Sequence, residues 1–119
     1  MKRWMFITVA LVLAVAALAT TGCQSSGGTL VVGTSADYEP FEYVGEDGEF
    51  TGFDIELMEE VADRMGRELE WQDIAFDGLI GALQTDKIDA IIAAMSATPE
   101  REEQVDFTDP YFIGADAII

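Results

Sequence analysis

The chain has 119 residues, with 6 basic against 23 acidic side chains and a formal net charge of −17. A surface this negative repels phosphates, which excludes nucleic-acid binding and disfavours docking on anionic lipid. The sequence contains no histidine and a single cysteine, which excludes a histidine-based triad, a histidine metal site and an internal disulfide. We therefore expect neither a metal nor a cofactor.

The first 22 residues have the layout of an export signal. Lys2 and Arg3 form a basic start, an apolar stretch runs from Met5 to Ala19, and small residues follow. A permanent membrane span is the alternative, but the apolar stretch is shorter than the roughly 20 residues that spanning requires. We predict a signal peptide over residues 1–22.

Cys23 follows Gly22 directly, and this position resembles a lipobox, in which the cysteine thiol is acylated and becomes the new N-terminus. Thr20 stands where that motif usually has an aliphatic residue. We predict a lipid anchor at Cys23 and a flexible tether over residues 23–28. Simple secretion and a single-pass anchor are the alternatives, and all three place residues 29–119 outside the cytoplasm.

Residues 29–119 alternate between strand and helix patterns. β-branched and apolar runs predict strands over residues 30–34, 68–74, 88–95, 105–107 and 117–119. A small hairpin with an Asp-Gly turn is predicted over 41–51, after a loop over 38–41. The nearly uncharged run 88–95 is typical of a central parallel strand.

Capping residues mark the predicted helices. Asp54 is predicted to cap a helix that ends at Gly66, because the apolar residues between them recur at helical spacing. Asp77 is predicted to cap a second helix, and Thr98 followed by Pro99 begins a third. Single helices between strands imply an α/β fold, with a mainly parallel sheet flanked by helices on both faces.

The last residues, 117–119, are apolar and strand-like. An open sheet that ended on such a strand would have an unprotected edge, so we expect the sequence to be part of a longer chain. The alternative is a short edge strand.

Arg101 is the first candidate for a binding residue. It lies in the first turn of the helix that opens at Thr98, where unpaired N–H groups and partial positive charge are available. The predicted strand 88–95 ends at the same place, and open α/β sheets bind ligands at the carboxyl ends of their strands. A guanidinium there suits a carboxylate ligand. The alternative is a surface ion pair with Glu100, Glu102 or Glu103.

Two aromatic residues also follow predicted strands. Tyr38 comes after the predicted strand 30–34 and Phe76 after the predicted strand 68–74. Each could be a core residue, but at one shared edge they could clamp the side chain of a ligand.

Several stretches resemble one known family. The stretches are Gly33–Phe41, Gly52–Leu57, Phe76–Ile80, Lys87–Arg101 and Val105–Tyr111. In this order, across about residues 30–119, they are similar to the periplasmic amino-acid-binding proteins of ABC importers. Lipid-anchored members are common in that family, which agrees with Cys23.

The resemblance implies a periplasmic-binding-protein type II-like lobe, one half of a two-lobed clam that captures a free amino acid. Arg101 and the backbone N–H of Ser96 would hold the α-carboxylate of the ligand. The carbonyl of Ala94 and the hydroxyl of Ser96 would hold its α-ammonium, and Tyr38 and Phe76 would sandwich its side chain. The second lobe, which supplies the family's aspartate for the ammonium, is missing from this sequence.

Ser35 and Asp37 bear on the class of ligand. Family members with basic ligands often carry an acidic residue where Ser35 stands, and Asp37 lies two residues further on. The resemblance therefore implies a polar or basic amino acid, with Ser35 and Asp37 as possible contacts.

The predicted function is that of an extracytoplasmic solute-binding protein, not an enzyme. It would deliver its amino acid to the permease of an ABC transporter, act as a monomer when full length, and be anchored through Cys23 in the periplasm or on the outer face of the cytoplasmic membrane. One alternative is a periplasmic enzyme on the same scaffold, similar to cyclohexadienyl or arogenate dehydratases. Another is the ligand-sensing lobe of a larger receptor.

Overall fold

The computed structural model describes residues 27–114, so the predicted signal peptide, Cys23 and the strand over 117–119 lie outside the described residues. The strands are β1 (Gly27–Thr34), β2 (Asp37–Tyr38), β3 (Glu42–Val44), β4 (Phe50–Thr51), β5 (Arg67–Asp73) and β6 (Ala90–Ile91), and the helices are α1 (Phe53–Met65), α2 (Leu79–Gln84) and α3 (Pro99–Glu102). β1 begins at Gly27, so the last two residues of the predicted tether belong to the sheet.

The larger sheet has the order β5-β1-β6, and both strand pairs are parallel. Val32 of β1 pairs with Trp71 on one side and with Ala90 on the other. Within residues 27–114 the central strand is therefore β1, and the run predicted as a central parallel strand over 88–95 pairs with β1 in parallel. Only Ala90–Ile91 of that run form a strand, and they lie at an edge of this sheet.

Asp89 limits the length of β6. Its side-chain Oδ2 accepts the hydrogen bond of Val31 N at 2.9 Å, where a regular ladder would use a backbone carbonyl. Asp89 N donates to Val31 O at 2.7 Å, and Ile92 N donates to Gly33 O at 3.0 Å. Beyond these bonds Ala94 has a φ of 44°, so the chain turns away from the sheet.

Helices cover both faces of this sheet, as predicted. Leu30 and Val32 pack with Ala62 of α1, whereas Val31, which points to the opposite face, packs with Leu79 and Ala82 of α2. The α/β fold class and the mainly parallel larger sheet are confirmed.

Gly33, which lies within the predicted strand 30–34, has a packing role that the sequence pattern did not predict. It lies within β1, paired with Gln72 and Ile91. A Cβ atom at this position would lie 2.5 Å from Ile88 Cδ1 and 3.0 Å from Leu79 Cδ2. The absence of a side chain at Gly33 therefore allows Ile88 and Leu79 to pack directly against the β1 backbone.

The smaller sheet is antiparallel, with the order β2-β3-β4. The predicted hairpin is confirmed: β3 and β4 pair around a turn in which Gly45 N donates to Glu49 O at 2.8 Å and Gly48 has a φ of 85°. Part of the predicted loop is a strand instead, because Tyr38 of β2 pairs with Glu42 of β3.

The helix boundaries partly match the predictions. α1 ends at Gly66 in a left-handed conformation, and Thr98 caps α3 through its Oγ1, which accepts from Arg101 N at 3.4 Å. The cap of α1 is Gly52 rather than Asp54. Asp77 lies in a 3₁₀ turn, Phe76–Gly78, and makes no cap for α2.

The predicted strand over 105–107 is wrong. Gln104 N and Val105 N both donate to Arg101 O, at 2.9 Å and 3.0 Å, so the chain here closes the end of α3 instead of extending along a sheet. No helix within residues 27–114 is both long enough and apolar enough to cross a membrane.

Candidate functional site

A cavity opens at the carboxyl ends of the parallel strands. Its volume is about 240 Å³, and it is lined by Ser35, Ala36, Asp37, Asp73 and Ala75. The first three residues follow β1, and the last two lie at and beyond the end of β5. The larger sheet therefore brings together two chain segments that are almost 40 residues apart, at the edge where open α/β sheets bind ligands.

Two acidic side chains shape the rim of this cavity. Ala36 N donates to Asp73 Oδ1 at 3.2 Å, which ties the loop after β1 to the end of β5. Ser35 is buried, and its Oγ donates to Asp37 Oδ1 at 3.5 Å. Ser35 and Asp37 thus lie at the cavity, and Asp73 is a lining residue that the sequence analysis did not single out. No motif marks Asp73, because its place depends on the parallel pairing of β5 with β1.

Arg101 lies against two other predicted site residues. Its Cζ is 5.1 Å from the centre of the Phe76 ring, and its Nη1 donates to the carbonyl of Ser96 at 3.0 Å. A guanidinium over an aromatic face is a favourable cation–π arrangement. Within residues 27–114 no ion pair joins Arg101 to a glutamate, so the surface pairing that was the alternative is not found there.

Tyr38 lies apart from this group in the described contacts. It is 55% exposed, and its ring stacks on that of Phe41 with the centroids 5.8 Å apart and an interplanar angle of 10°. Among the aromatic pairs of residues 27–114, Tyr38 pairs with Phe41 and not with Phe76. The structure therefore brings Arg101, Phe76 and Ser96 together and holds the Tyr38 ring on the smaller sheet.

Ala94 is held by a residue that the sequence analysis assigned to another role. Ala94 N donates to Asp54 Oδ2 at 2.6 Å, and Tyr111 Oη donates to the same oxygen at 2.8 Å. The Asp54 side chain is fully buried. It is not needed as a cap, because Phe53 N donates to Pro40 O and Asp54 N donates to Phe41 O, at 3.0 Å and 2.9 Å. Asp54 is therefore free to reach Ala94.

Burial changes the acidity of two groups beside Asp54. The pKa of Glu42 is raised to about 8, first by its burial and then by the neighbouring Asp54 carboxylate. The pKa of Tyr111 is also raised, by burial and by its hydrogen bond to Asp54. No local sequence pattern signals this cluster, because its members are 12 to 69 positions apart.

Within residues 27–114 no group of three or more acidic or cysteine side chains is arranged to hold a metal ion.

The chain belongs to the bacterial extracellular solute-binding proteins, family 3, whose family model matches residues 30–119. The arginine-binding extracellular protein ArtP of Bacillus subtilis is 41% identical over 123 residues, which cover 100% of this chain and 48% of the relative. ABC transporter arginine-binding protein 1 of Escherichia coli is 40% identical over 109 residues, which cover 92% of this chain and 45% of the relative. This chain spans about half the length of these curated relatives.

Solved structures agree with the fold. The arginine-bound form of domain 1 from TmArgBP aligns with a TM-score of 0.70 and 54% identity, covering 71% of this chain and 68% of that one. An ancestral amino-acid-binding protein, described as a precursor of cyclohexadienyl dehydratase, aligns with a TM-score of 0.70 and 48% identity, covering 71% of this chain and 37% of that one. The family and the fold class predicted from the sequence are confirmed, and the relatives compared above are named as binding proteins.

Proposed function

We propose that this chain forms a lobe of an extracytoplasmic receptor that captures a free amino acid and delivers it to an ABC importer. The proposal rests on the position of the Arg101 guanidinium. Its Cζ lies 5.1 Å from the centre of the Phe76 ring, and its Nη1 donates to Ser96 O. Phe76 and Ser96 O orient the guanidinium, and its remaining N–H groups can bind both oxygens of a carboxylate. Such a pair is stronger than a neutral hydrogen bond.

The other contacts assigned to the ligand are those of the family resemblance. Ser96 N–H would assist Arg101, the Ala94 carbonyl and the Ser96 hydroxyl would take the α-ammonium, and Phe76 and Tyr38 would contact the side chain. Ala94 N donates to Asp54 Oδ2, which anchors the peptide group directly before the residue whose carbonyl is proposed to bind the ammonium.

We propose a polar or cationic side chain for the ligand. Asp37 and Asp73 line the cavity, and Ser35 adds a hydroxyl there. The net charge of −17 raises the local concentration of cations near the surface. The names of ArtP and of the TmArgBP structure point to arginine for those proteins, and we take L-arginine as the first ligand to test.

An enzymatic role is the weaker alternative. Acid catalysis needs a carboxyl that reaches the ligand. Glu42 has a raised pKa, but its side chain is only 1% exposed and it is not among the residues that line the cavity. We therefore propose a binding function without a catalytic residue, and a monomer as its working form.

Titration calorimetry of the chain with L-arginine, L-lysine, L-glutamine and L-glutamate tests the proposal. We expect the basic ligands to bind more tightly than L-glutamate. Arg101→Ala should weaken binding of L-arginine by about 2–5 kcal/mol, because the ligand carboxylate would be left unpaired. Arg101→Lys should recover only part of this loss, since it keeps the charge and not the two-pronged geometry.

Arg64→Ala is the matched control, because it removes the same charge from an exposed position where Arg64 pairs with Glu60 at 2.7 Å. It should bind L-arginine as the parent does. Equal affinities for the Arg101→Ala variant and the parent would refute the role of Arg101 as the carboxylate anchor. The absence of binding for all four amino acids would refute the proposed function.

We also propose that Cys23 carries a lipid anchor that holds the protein at the outer face of the cytoplasmic membrane. The position of Cys23 directly after the export signal supports this. In cells given a labelled fatty acid, the parent should be labelled and sediment with membranes. Cys23→Ala should be unlabelled, and a labelled Cys23→Ala variant would refute the anchor.

A further inference from the structure

Two neighbouring carboxyl groups are buried, and one of them contacts the Ala94 backbone. Glu42 of β3 is 1% exposed and Asp54 of α1 is 0% exposed. The ion pairs described between residues 27 and 114 are Arg64–Glu60 and Arg67–Asp89, so no basic side chain in this part of the chain neutralises Glu42 or Asp54. Two adjacent buried negative charges without a counter-ion would be strongly destabilising.

Among residues 27–114, hydrogen bonds satisfy one oxygen of the pair and leave two buried oxygens without a partner. Asp54 Oδ2 accepts from Ala94 N at 2.6 Å and from Tyr111 Oη at 2.8 Å. Asp54 Oδ1 and Glu42 Oε2 are both buried, and neither has a hydrogen-bond partner among residues 27–114 when both groups are ionised. A single proton on Glu42 changes this, because the carboxylic acid then donates to the Asp54 carboxylate. One proton therefore removes one charge and satisfies two buried oxygens.

We propose that Glu42 and Asp54 share one proton, and that the protonated pair is a positioning element that holds the Ala94 backbone in its ligand-binding geometry. The inference rests on the proposed function, since Ala94 affects a ligand only if this edge of the sheet binds one. Ala94 is in the left-handed region at φ 44°, which is unfavourable for alanine, so an external hydrogen bond is needed to hold it. Asp54 supplies that bond.

The surroundings of the pair determine its response to pH. Asp37 of β2 adds negative charge near Glu42, and Tyr111 faces Asp54 as a neutral donor. Burial, the Asp54 carboxylate and Asp37 favour the protonated form of Glu42 in that order, and its pKa of about 8 is consistent with a proton that is retained at neutral pH. Loss of the proton in mildly alkaline solution leaves two adjacent charges, and their repulsion should displace Asp54 from Ala94 N.

Glu42→Gln is the diagnostic variant, because the amide donates to Asp54 as the carboxylic acid does but does not titrate. Glu49→Gln is the matched control: it makes the same charge change at an exposed position in the same hairpin. The dissociation constant for L-arginine is measured by calorimetry at about pH 6.5 and about pH 9, one unit above the pKa of Glu42. The ligand's own ammonium titrates equally for all variants, so the ratio between variants is the readout.

At about pH 6.5 we expect the three proteins to bind within about threefold of one another. At about pH 9 the parent and Glu49→Gln should bind up to about tenfold more weakly than Glu42→Gln, because the parent must take up a proton to bind. A ratio between parent and Glu42→Gln that does not change with pH would overturn the shared proton.

A second measurement needs neither a variant nor a ligand. In NMR titrations of the parent, the Glu42 side-chain carboxyl and the Ala94 amide should shift with one common midpoint near that of the affinity change. An Ala94 amide that does not titrate with Glu42 would overturn the positioning role, even if Glu42→Gln failed to fold. If the parent binds no amino acid but these two signals titrate together, the proposed function fails and the shared proton stands.

Discussion

Replacing Gly52 with alanine tests how the start of α1 is held against the smaller sheet. Gly52 has a φ of 123° and a ψ of 176°, a region that is essentially restricted to glycine. An added Cβ would lie 2.3 Å from Phe41 O, 2.7 Å from Phe41 C and 2.9 Å from Pro40 O. All three are backbone atoms, so no side-chain rotation can relieve the overlap.

The expected loss of stability follows from these contacts. The backbone conformation alone costs an L-residue about 1–3 kcal/mol. Relief of the overlap must move Pro40 and Phe41 away from the helix, which weakens the hydrogen bonds they accept from Phe53 N and Asp54 N. Each such bond contributes about 0.5–1.5 kcal/mol. We expect Gly52→Ala to lower the free energy of unfolding by about 2–6 kcal/mol, a large fraction of the stability of a small domain.

Urea unfolding followed by circular dichroism measures this loss, and two other glycines serve as controls. Gly48 also has a positive φ, of 85°, but its Cβ would meet no atom within 4 Å, so Gly48→Ala should cost only the conformational strain of about 1–2 kcal/mol. Gly81 lies in α2 with open space around it, and Gly81→Ala should raise stability by about 0.5–1 kcal/mol. If Gly52→Ala were no less stable than Gly48→Ala, the contact with Phe41 would not fix the start of α1.

Three further outcomes are expected. The folded chain retains the Glu42 proton up to a pKa of about 8, whereas the unfolded chain releases it near a pKa of 4.5. The free energy of unfolding should therefore fall as pH rises between these values, by at most about 1.4 kcal/mol per pH unit. Denaturant titrations of Glu42→Gln should show no such fall from this residue. Gly33→Ala should cost about 1–3 kcal/mol in the same assay, and Ile88→Val, which removes the atom 2.5 Å from the new Cβ, should restore part of that loss in the double variant. Added sodium chloride should raise the melting temperature, because it screens the repulsion within a chain of net charge −17, and a melting temperature independent of salt would contradict this.

Features that depend only on near neighbours in the chain could be predicted from the sequence. Gly66 ends α1, Thr98 and Pro99 begin α3, and Asp47-Gly48 lies in the turn of the hairpin, because each needs only the conformational preferences of a few adjacent residues. The alternation of strands and helices likewise fixed the α/β class. The position of Arg101 in the first turn of α3 was predictable in the same way, since it is a local property.

The roles of several polar groups depend on contacts between distant parts of the chain. Asp54 satisfies the local pattern of a helix cap, yet the carbonyls of Pro40 and Phe41 bind the first N–H groups of α1, and Asp54 is left to bind Ala94 and Tyr111. Glu42, Ala94 and Tyr111, which interact with Asp54, are 12, 40 and 57 positions away from it in the sequence. The residues adjacent to Asp54 in the sequence do not indicate contacts over such separations. Burial of Glu42 and the meeting of Asp73 with Ala36 are of the same kind, because both depend on which strands pair and in which register.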